Sequence, residues 1–522
     1  MKKQLTFIIL AALWALTASS QELLRSITTS SQHAIGPDVI TGHQVLVRHY
    51  NGRYVLTHSR DMDALNRNRF TIRDLNSDGL AQSFTIDNGN SAFSSSTLLH
   101  EYSPGHVTFD IYDMYILDNT CYFCGSKRTT TGNAIEDMNG NTYAETSDIG
   151  IIGYFSISQM LAGHGNYHIL KINNTSAVSR LVAYNSYPYI MAVASSAGNA
   201  PSPTCLAALR RVASGVHDSW NLTLAHTADP SEVLTDLTTA SDALVTVSRR
   251  LTDLRSLVFH ITKMSGVFDM PMHLEFFNSH HVLNVDPAVV GDIFREEAEP
   301  ILLAKDPEMS AIVAVHAFSG DHKGFAIYDM HFNNTDFSGS HPFMPLVMDS
   351  SQHVLSDYHL PLADFALLPR NQHRHAVLLN EASSGGQQAL HFLDLAQTNN
   401  YMSNTLKLDG FDLQSVSGSD CDLVSVGASG TGFSLWNFRQ HPGYSGNLTI
   451  GNTVITPYDG CFSTLPKQNV QIIPPSPLVV EYGPAWSSDR ENFDNIQTDK
   501  ASFETTMIPV DTPCYKYRTI NQ

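Results

Sequence analysis

The stretch "DMYILDNTCYFCG", residues 113–125, settles how the rest of the chain is read. It carries a C-x-x-C pair, Cys121 and Cys124, a spacing that redox centres and zinc sites use. Its surroundings read as a strand. Positions i and i+3 of a strand point to opposite faces and lie roughly 10 Å apart, at ~3.3 Å per residue. A disulfide needs Cα atoms within ~7 Å, so these two cysteines are not expected to bond each other. A redox pair relies on a helix N-terminus to lower its thiol pKa, and no helix signal follows Gly125. A zinc site needs a second ligand pair, and none stands at a matching spacing.

Repetition carries the strand reading. An Asp and an apolar residue lead through a polar turn to an apolar strand, a Gly-containing turn and a second strand with alternating apolar residues. Asp113-Met114 leads to "CYFCG" and "GIIGYFSI" (150–157), and Asp236-Leu237 to "ALVTVS" and "SLVFHI". Asp364-Phe365 leads to "HAVLLNE" and "GGQQALHFLDL", and Asp412-Leu413 to "CDLVSVG" and "TGFSLWNF". Weaker copies lie at 181–196 and 310–330, and an earlier one at 43–59. With two units between successive Asp residues from 113 to 364, each unit takes roughly 60 residues, within the range of propeller blades with loop insertions.

One such unit is a small antiparallel sheet that cannot bury both faces, and radial stacking of sheets buries them. The expected fold is therefore all-β, a β-propeller of six or seven blades, with tandem β-sandwich domains as the alternative. Strand residues such as Val245, Val247, Leu378 and Val424 are expected to be packing. An Asp that returns once per unit is expected to cap a turn through its own backbone, not to catalyse.

The N-terminus points to export. Lys2 and Lys3, an apolar run from Leu5 to Leu16, and the small residues Ala18, Ser19 and Ser20 form the pattern of a cleaved secretory signal over residues 1–20. That run is short for ~30 Å of hydrocarbon, and no later stretch reaches the length of a span. The expected mature chain begins near Gln21, carries no integral membrane segment, and is secreted or resides in the periplasm or cell envelope. Lys plus Arg number 31 against 50 Asp plus Glu, a net charge of −19 that excludes nucleic acid as a partner. Residues 35–440 are expected to form the propeller. Residues 441–522, with "IIPPSPLVVEYGPAW", form a C-terminal extension that closes the ring or packs across one face.

Other constellations are weaker. Cys461 and Cys514 flank the Pro-rich segment and are the disulfide candidate, although two free thiols fit the spacing equally. His280 and His281 are adjacent, and His373 and His375 share a face, but no third ligand is placed beside either pair, so no metal site is assigned. The N-x-[ST] matches at Asn173, Asn174, Asn221, Asn333 and Asn447 have meaning only in a eukaryotic secretory pathway. Nucleophile elbow, phosphate loop, H-E-x-x-H and dinucleotide fingerprint are all missing, so no catalytic residue and no cofactor are assigned.

The unit "DMYILDNTCYFCG…GIIGYFSI", together with the signal and the Gln21 start, resembles uncharacterised exported propeller-like proteins of Bacteroidales-type bacteria. That resemblance implies a propeller and a Gram-negative envelope location, and it carries no functional residue across. The expected function is a binding platform for a protein or glycan ligand, with an enzyme acting on extracellular glycans or peptides as the alternative. Loops on a rigid scaffold carry function, which makes the insertions 125–149 and 263–281 the expected recognition surface, converging at one end of the ring.

Overall fold

The computed structural model describes the backbone of strands and one short helix lying between Gln21 and Thr519. Side chains are described mainly over residues 46–260, with shorter stretches at 393–401 and 496–507. The leader expected over residues 1–20 lies outside the described residues. The chain is all-β, and its strands form seven antiparallel sheets among the described residues.

Sheet I holds Leu46–Tyr50, Tyr54–Arg60, Asn68–Asp74 and Ala81–Ile86. Sheet II holds Val107–Leu117, Thr120–Glu136, Thr142–Ser156 and His164–Ile172, with the helix Ile157–Leu161 joining its last two strands. Sheet III is Thr175–Tyr184, Tyr189–Ser196, Thr204–Ser214 and His217–Thr227; sheet IV is Glu232–Ala240, Ala243–Arg250, Ser256–Ser265 and Glu275–Asn284. Sheet V is Glu297–Lys305, Ser310–Phe318, Lys323–Phe332 and Val347–Leu355; sheet VI is Leu362–Arg370, His373–Asn380, Ala389–Asp394 and Asn404–Lys407. Sheet VII takes Asp422–Ser429, Gly432–Gln440 and Asn447–Ile455, and its fourth strand, Gln21–Ser30, comes from the opposite end of the chain.

The sheets touch through their first strands. Leu46–Tyr50 contacts Val107–Leu117, and each first strand contacts the next in turn, until Asp422–Ser429 returns to Leu46–Tyr50. Apolar clusters fill the spaces between neighbours. Phe70, Phe84, Phe123 and Phe155 pack between sheets I and II; Cys124, Ile152, Leu181, Leu209 and Trp220 pack between II and III. Val245 and Val247 are fully buried, as packing residues should be.

After Ile455 the chain runs back past the sheets in reverse order. Asn469–Ile473 pairs with the outer strand of sheet V, Val479–Glu481 with IV, and Trp486–Ser487 with III. Thr498–Glu504 then pairs with II, Thr506–Ile508 with I, and Cys514–Thr519 with Gln21–Ser30 of VII. This strap also contributes two buried aromatic anchors. Trp486 packs against Leu234, Leu237 and Leu244 of sheet IV while its backbone pairs with III. Phe503 pairs with II and stacks on Phe84 of sheet I at 4.1 Å and 13°.

The repeated Asp has a different role from the one expected. Asp113, Asp236 and Asp364 each follow a register shift inside the first strand of their sheet, a β-bulge and not a turn. Asp113 Oδ1 does accept its own following amide, Met114 N–H, at 2.8 Å. It also accepts from Arg48 Nη2 of sheet I at 2.7 Å, while Oδ2 accepts from Leu181 N–H of sheet III at 3.1 Å. One carboxylate thus ties three sheets. At the same bulge position sheet III carries Arg180, whose Nε lies 3.6 Å from Asp236 Oδ1. Between the Asp-bearing sheets II and IV, Arg180 thus takes this position, whereas in sheet V the residue after the shift is Leu302.

The fourth sequence unit is out of phase by one strand. "CYFCG" and "ALVTVS" lie in second strands, whereas "DLVSVG" is the first strand of sheet VII. Its Asp412 lies outside the described residues.

A close approach explains Gly153 in "GIIGYFSI". A Cβ there would fall 2.0 Å from Phe123 Cζ, and Phe123 is wedged between Phe70 and Phe155. Gly153→Ala is expected to destabilise by about 1–3 kcal/mol, read as a lower urea midpoint with an unchanged slope.

Candidate functional site at the end of sheet II

The second and third strands of sheet II pair from Thr120–Ser156 out to Glu136–Thr142. The first strand reaches only to the Val107–Thr129 pair and the fourth only to Gly150–Ile172. Among the described residues, the rest of the 125–149 insertion is therefore a hairpin that projects beyond its neighbours. It stands at the end where the first strand begins. The other expected recognition loop, 263–281, is taken up largely by Ser256–Ser265 and Glu275–Asn284, the third and fourth strands of sheet IV. A hairpin between third and fourth strands lies at the end where the first strand finishes. Relative to their first strands the two insertions sit at opposite ends, so the expected convergence does not occur.

Polar side chains gather at the base of the projecting hairpin. The bulge leaves Tyr112 as the extra residue between the Ile111–Gly125 and Asp113–Cys124 pairs, which re-aims its ring across the second strand. Its hydroxyl lies 3.2 Å from Ser126 Oγ. Arg128, two residues further along that strand, places Nε 3.0 Å from Asp110 Oδ2 and 3.6 Å from Asp148 Oδ2. Burial opposes the Arg128 charge, but Asp110, Tyr112 and Asp148 together push its pKa above the ordinary value. The guanidinium side chain is 46% exposed and the Asp110 side chain 12%, so the arginine faces solvent over a half-sunken acid. The cluster offers a phenol, a hydroxyl, a guanidinium and two carboxylates over three adjacent strands. It lacks the arrangement of a carboxylate pair for glycoside cleavage, because Arg128 fills the space between the two acids.

The other face of the same strands points toward sheet I, where Phe123, Ile151 and Ile169 are packed. Beyond that apolar patch stands Lys127. Burial, then the charge of Lys171, pull its pKa below the ordinary lysine value, with Asp499 of the strap partly opposing. Lys171 Nζ is 2.8 Å from Asp499 Oδ2.

The cysteines behave as strand residues. Cys121 packs toward sheet I and Cys124 toward sheet III, both fully buried and neither in a disulfide. Burial, first among the causes, pushes both thiols well up, and Cys205 to about 11. Such thiols are neutral and unreactive at physiological pH. Cys514 opens the strand beside Gln21–Ser30, and Cys461 lies outside the described residues. His280 and His281 lie in Glu275–Asn284 opposite His260 and Phe259, and His373 and His375 lie at the start of His373–Asn380.

One buried cluster escaped the sequence reading. Glu232 Oε2 lies 2.7 Å from His260 Nε2 and 3.1 Å from Ser248 Oγ, and Arg250 Nε lies 3.5 Å from Glu232 Oε1. The residue types are those of a hydrolytic triad. Here the serine (3.4 Å) and the acid share the same imidazole nitrogen, so the histidine cannot relay a proton between them. Glu232 and His260 are at most 3% exposed and Ser248 is fully buried. The cluster ties three strands of sheet IV, and Trp486 of the strap lies 5.1 Å from the His260 ring.

No family model and no curated protein matches the chain. Among solved structures it is similar to polysaccharide lyase Uly1, with 8% identity and a TM-score of 0.39 over 84% of this chain and 99% of that one. It is also similar to a PL25 ulvan lyase bound to -[GlcA(1-4)Rha3S]-, with 10% identity and a TM-score of 0.31 over 81% and 93%. At these values the likeness transfers neither a residue nor an activity. Among the described residues, no helix is long and apolar enough to cross a membrane.

Proposed function

We propose that the chain is a seven-bladed β-propeller that acts outside the cell on a glycan, held at the hairpin end of sheet II. The propeller reading is supported by the cyclic order of first-strand contacts and by the shared sheet VII, in which the two ends of the chain meet. In this reading the ring runs to Ile455 and the strap follows it. The observation that carries the ligand class is the Arg128 cluster. Ligand sites are built from a few polar groups converging at the mouth of a rigid scaffold. Tyr112, Ser126, Arg128, Asp110 and Asp148 supply donors and acceptors matched to sugar hydroxyls, next to the first strands and so near the centre of the ring.

The projecting hairpin supports a second reading, a platform for a protein partner, because beyond Thr129 and Gly150 its strands pair only with each other among the described residues. Binding to a panel of neutral and acidic polysaccharides, read by calorimetry and by release of new chain ends, separates the two. For the glycan reading, Arg128→Ala is expected to weaken binding at least tenfold and Tyr112→Phe several-fold. Trimming residues 132–145 to a tight turn should leave that binding in place. No binding to any member of the panel, or equal binding by Arg128→Ala, overturns the glycan reading. New chain ends that vanish in Arg128→Ala would mark an enzyme.

A further inference from the structure

We propose a separate oxyanion site on the sheet I side of the hairpin base, formed by Lys127 and Lys171 and guarded by Asp499 of the strap. The ligand is a carboxylate, sulfate or phosphate group. Lys127 and Arg128 are consecutive in a strand and point to opposite faces, so this site lies across the hairpin from the Arg128 cluster and does not depend on the glycan reading.

Three elements build it. Lys127 is on the second strand of sheet II, opposite Ile149, and Lys171 on the fourth, opposite Ile151, which puts their backbones about 12 Å apart at ~4.8 Å per strand and ~3.3 Å per residue. Both stand on the face that carries Phe123 and Ile169, just where the apolar packing against sheet I ends. Asp499 lies on the strap strand Thr498–Glu504, directly opposite Ile169 on the fourth strand. Long flexible lysine stems converge readily over such a gap, and the charge of Lys171 is felt at Lys127.

The charges do not balance locally. Lys171 has a partner in Asp499 at 2.8 Å, while Lys127 makes no ion pair within 4.0 Å among the described residues. Lys127 is also partly desolvated, which makes an unmatched charge there unfavourable. In a chain of net charge −19, a half-buried lysine left beside a second lysine is a place where an anion gains on entry. Asp499 is the competitor already in place. Its side chain is 57% exposed, whereas that of Lys171 is 25% exposed, so the acid is the member of the pair that can swing away. An arriving oxyanion would bridge Lys127 and Lys171 and take over the contact that Asp499 makes.

This assignment predicts opposite effects from removing the negative charge and from removing either positive charge at one site. The mature full-length protein would be titrated with inorganic sulfate, inorganic phosphate and acetate, and with a sulfated, a uronic-acid and a neutral oligosaccharide, by calorimetry. Asp499→Asn is expected to strengthen anion binding several-fold by removing the internal competitor. Lys127→Gln and Lys171→Gln are each expected to weaken it about tenfold, while chromatographic size and circular dichroism stay unchanged. Binding of the free ions with the same response to substitution identifies a free oxyanion as the ligand. Binding confined to the charged oligosaccharides identifies a sugar-borne group. Unchanged or weaker binding by Asp499→Asn, or undiminished binding by Lys127→Gln, overturns the site. Arg128→Ala should leave the titration with inorganic sulfate, phosphate and acetate unaltered, so a failure of the glycan reading and a failure of this one give different results.

Discussion

A chain ending at Gln468 is expected to self-associate and to melt well below the full-length protein. The strap supplies a further strand to the outer edge of six sheets, and without it each edge presents unpaired N–H and C=O groups. Exposed edges of that kind template pairing with other chains. The loss is also apolar. Trp486 and Phe503 are 4% and 6% exposed, and each bridges two sheets. Truncating either to Ala in the intact chain is expected to destabilise by about 3–5 kcal/mol. Size-exclusion chromatography with light scattering and urea unfolding give the readout. A truncated chain with the association state and midpoint of the full-length protein would show that the sheets need no strap.

Asp113→Ala is expected to be the most damaging single polar substitution, at about 3–5 kcal/mol. The reason is the number of donors left behind. The amides of Met114 and Leu181 lose their acceptor inside the protein, at about 1–3 kcal/mol for each buried unsatisfied group. Arg48 loses this contact too, but its side chain is 34% exposed and water recovers part of that. Arg48→Ala should therefore be much milder, because Asp113 keeps both amide bonds. Urea midpoints of the two variants give the ordering. Equal losses would mean that the ion pair, and not the amide bonds, holds sheets I, II and III together.

The legible part of this fold was the part written in apolar alternation. "CYFCG" announces a strand because its neighbours in "ALVTVS" show what may vary there, and its cysteines lie on opposite faces, as strand geometry requires. The Asp repeat was visible, but not that Arg180 takes its position in sheet III. A change from Asp to Arg at one position conserves a pairing across sheets, and a search for identical residues misses it. The phase of the last unit was misread because Gln21–Ser30 completes sheet VII, and no local pattern records a partner more than 400 residues away. The strap was visible only as an irregular Pro-rich tail, since strands of two to seven residues carry too little alternation to stand out. At the candidate site, Tyr112 and Arg128 are ordinary strand residues in sequence. A bulge brings the first onto the second strand, and bulges leave no mark in composition.

Gln21 lies directly opposite Thr519 in an antiparallel pair. The two ends of the described chain are thus one tight turn apart, which is the geometry that tolerates circular permutation. New ends could be opened at the exposed Asn173–Asn174 turn between sheets II and III, where Asn174 already sits at φ 62°. The pairing of Cys514–Thr519 with Gln21–Ser30, now among the most distant in the sequence, would become a local hairpin. Closure of the seventh sheet would then no longer wait for the longest loop in the molecule. Since folding slows as contacts become less local, the rearranged chain should reach the same set of sheets sooner than the natural order does.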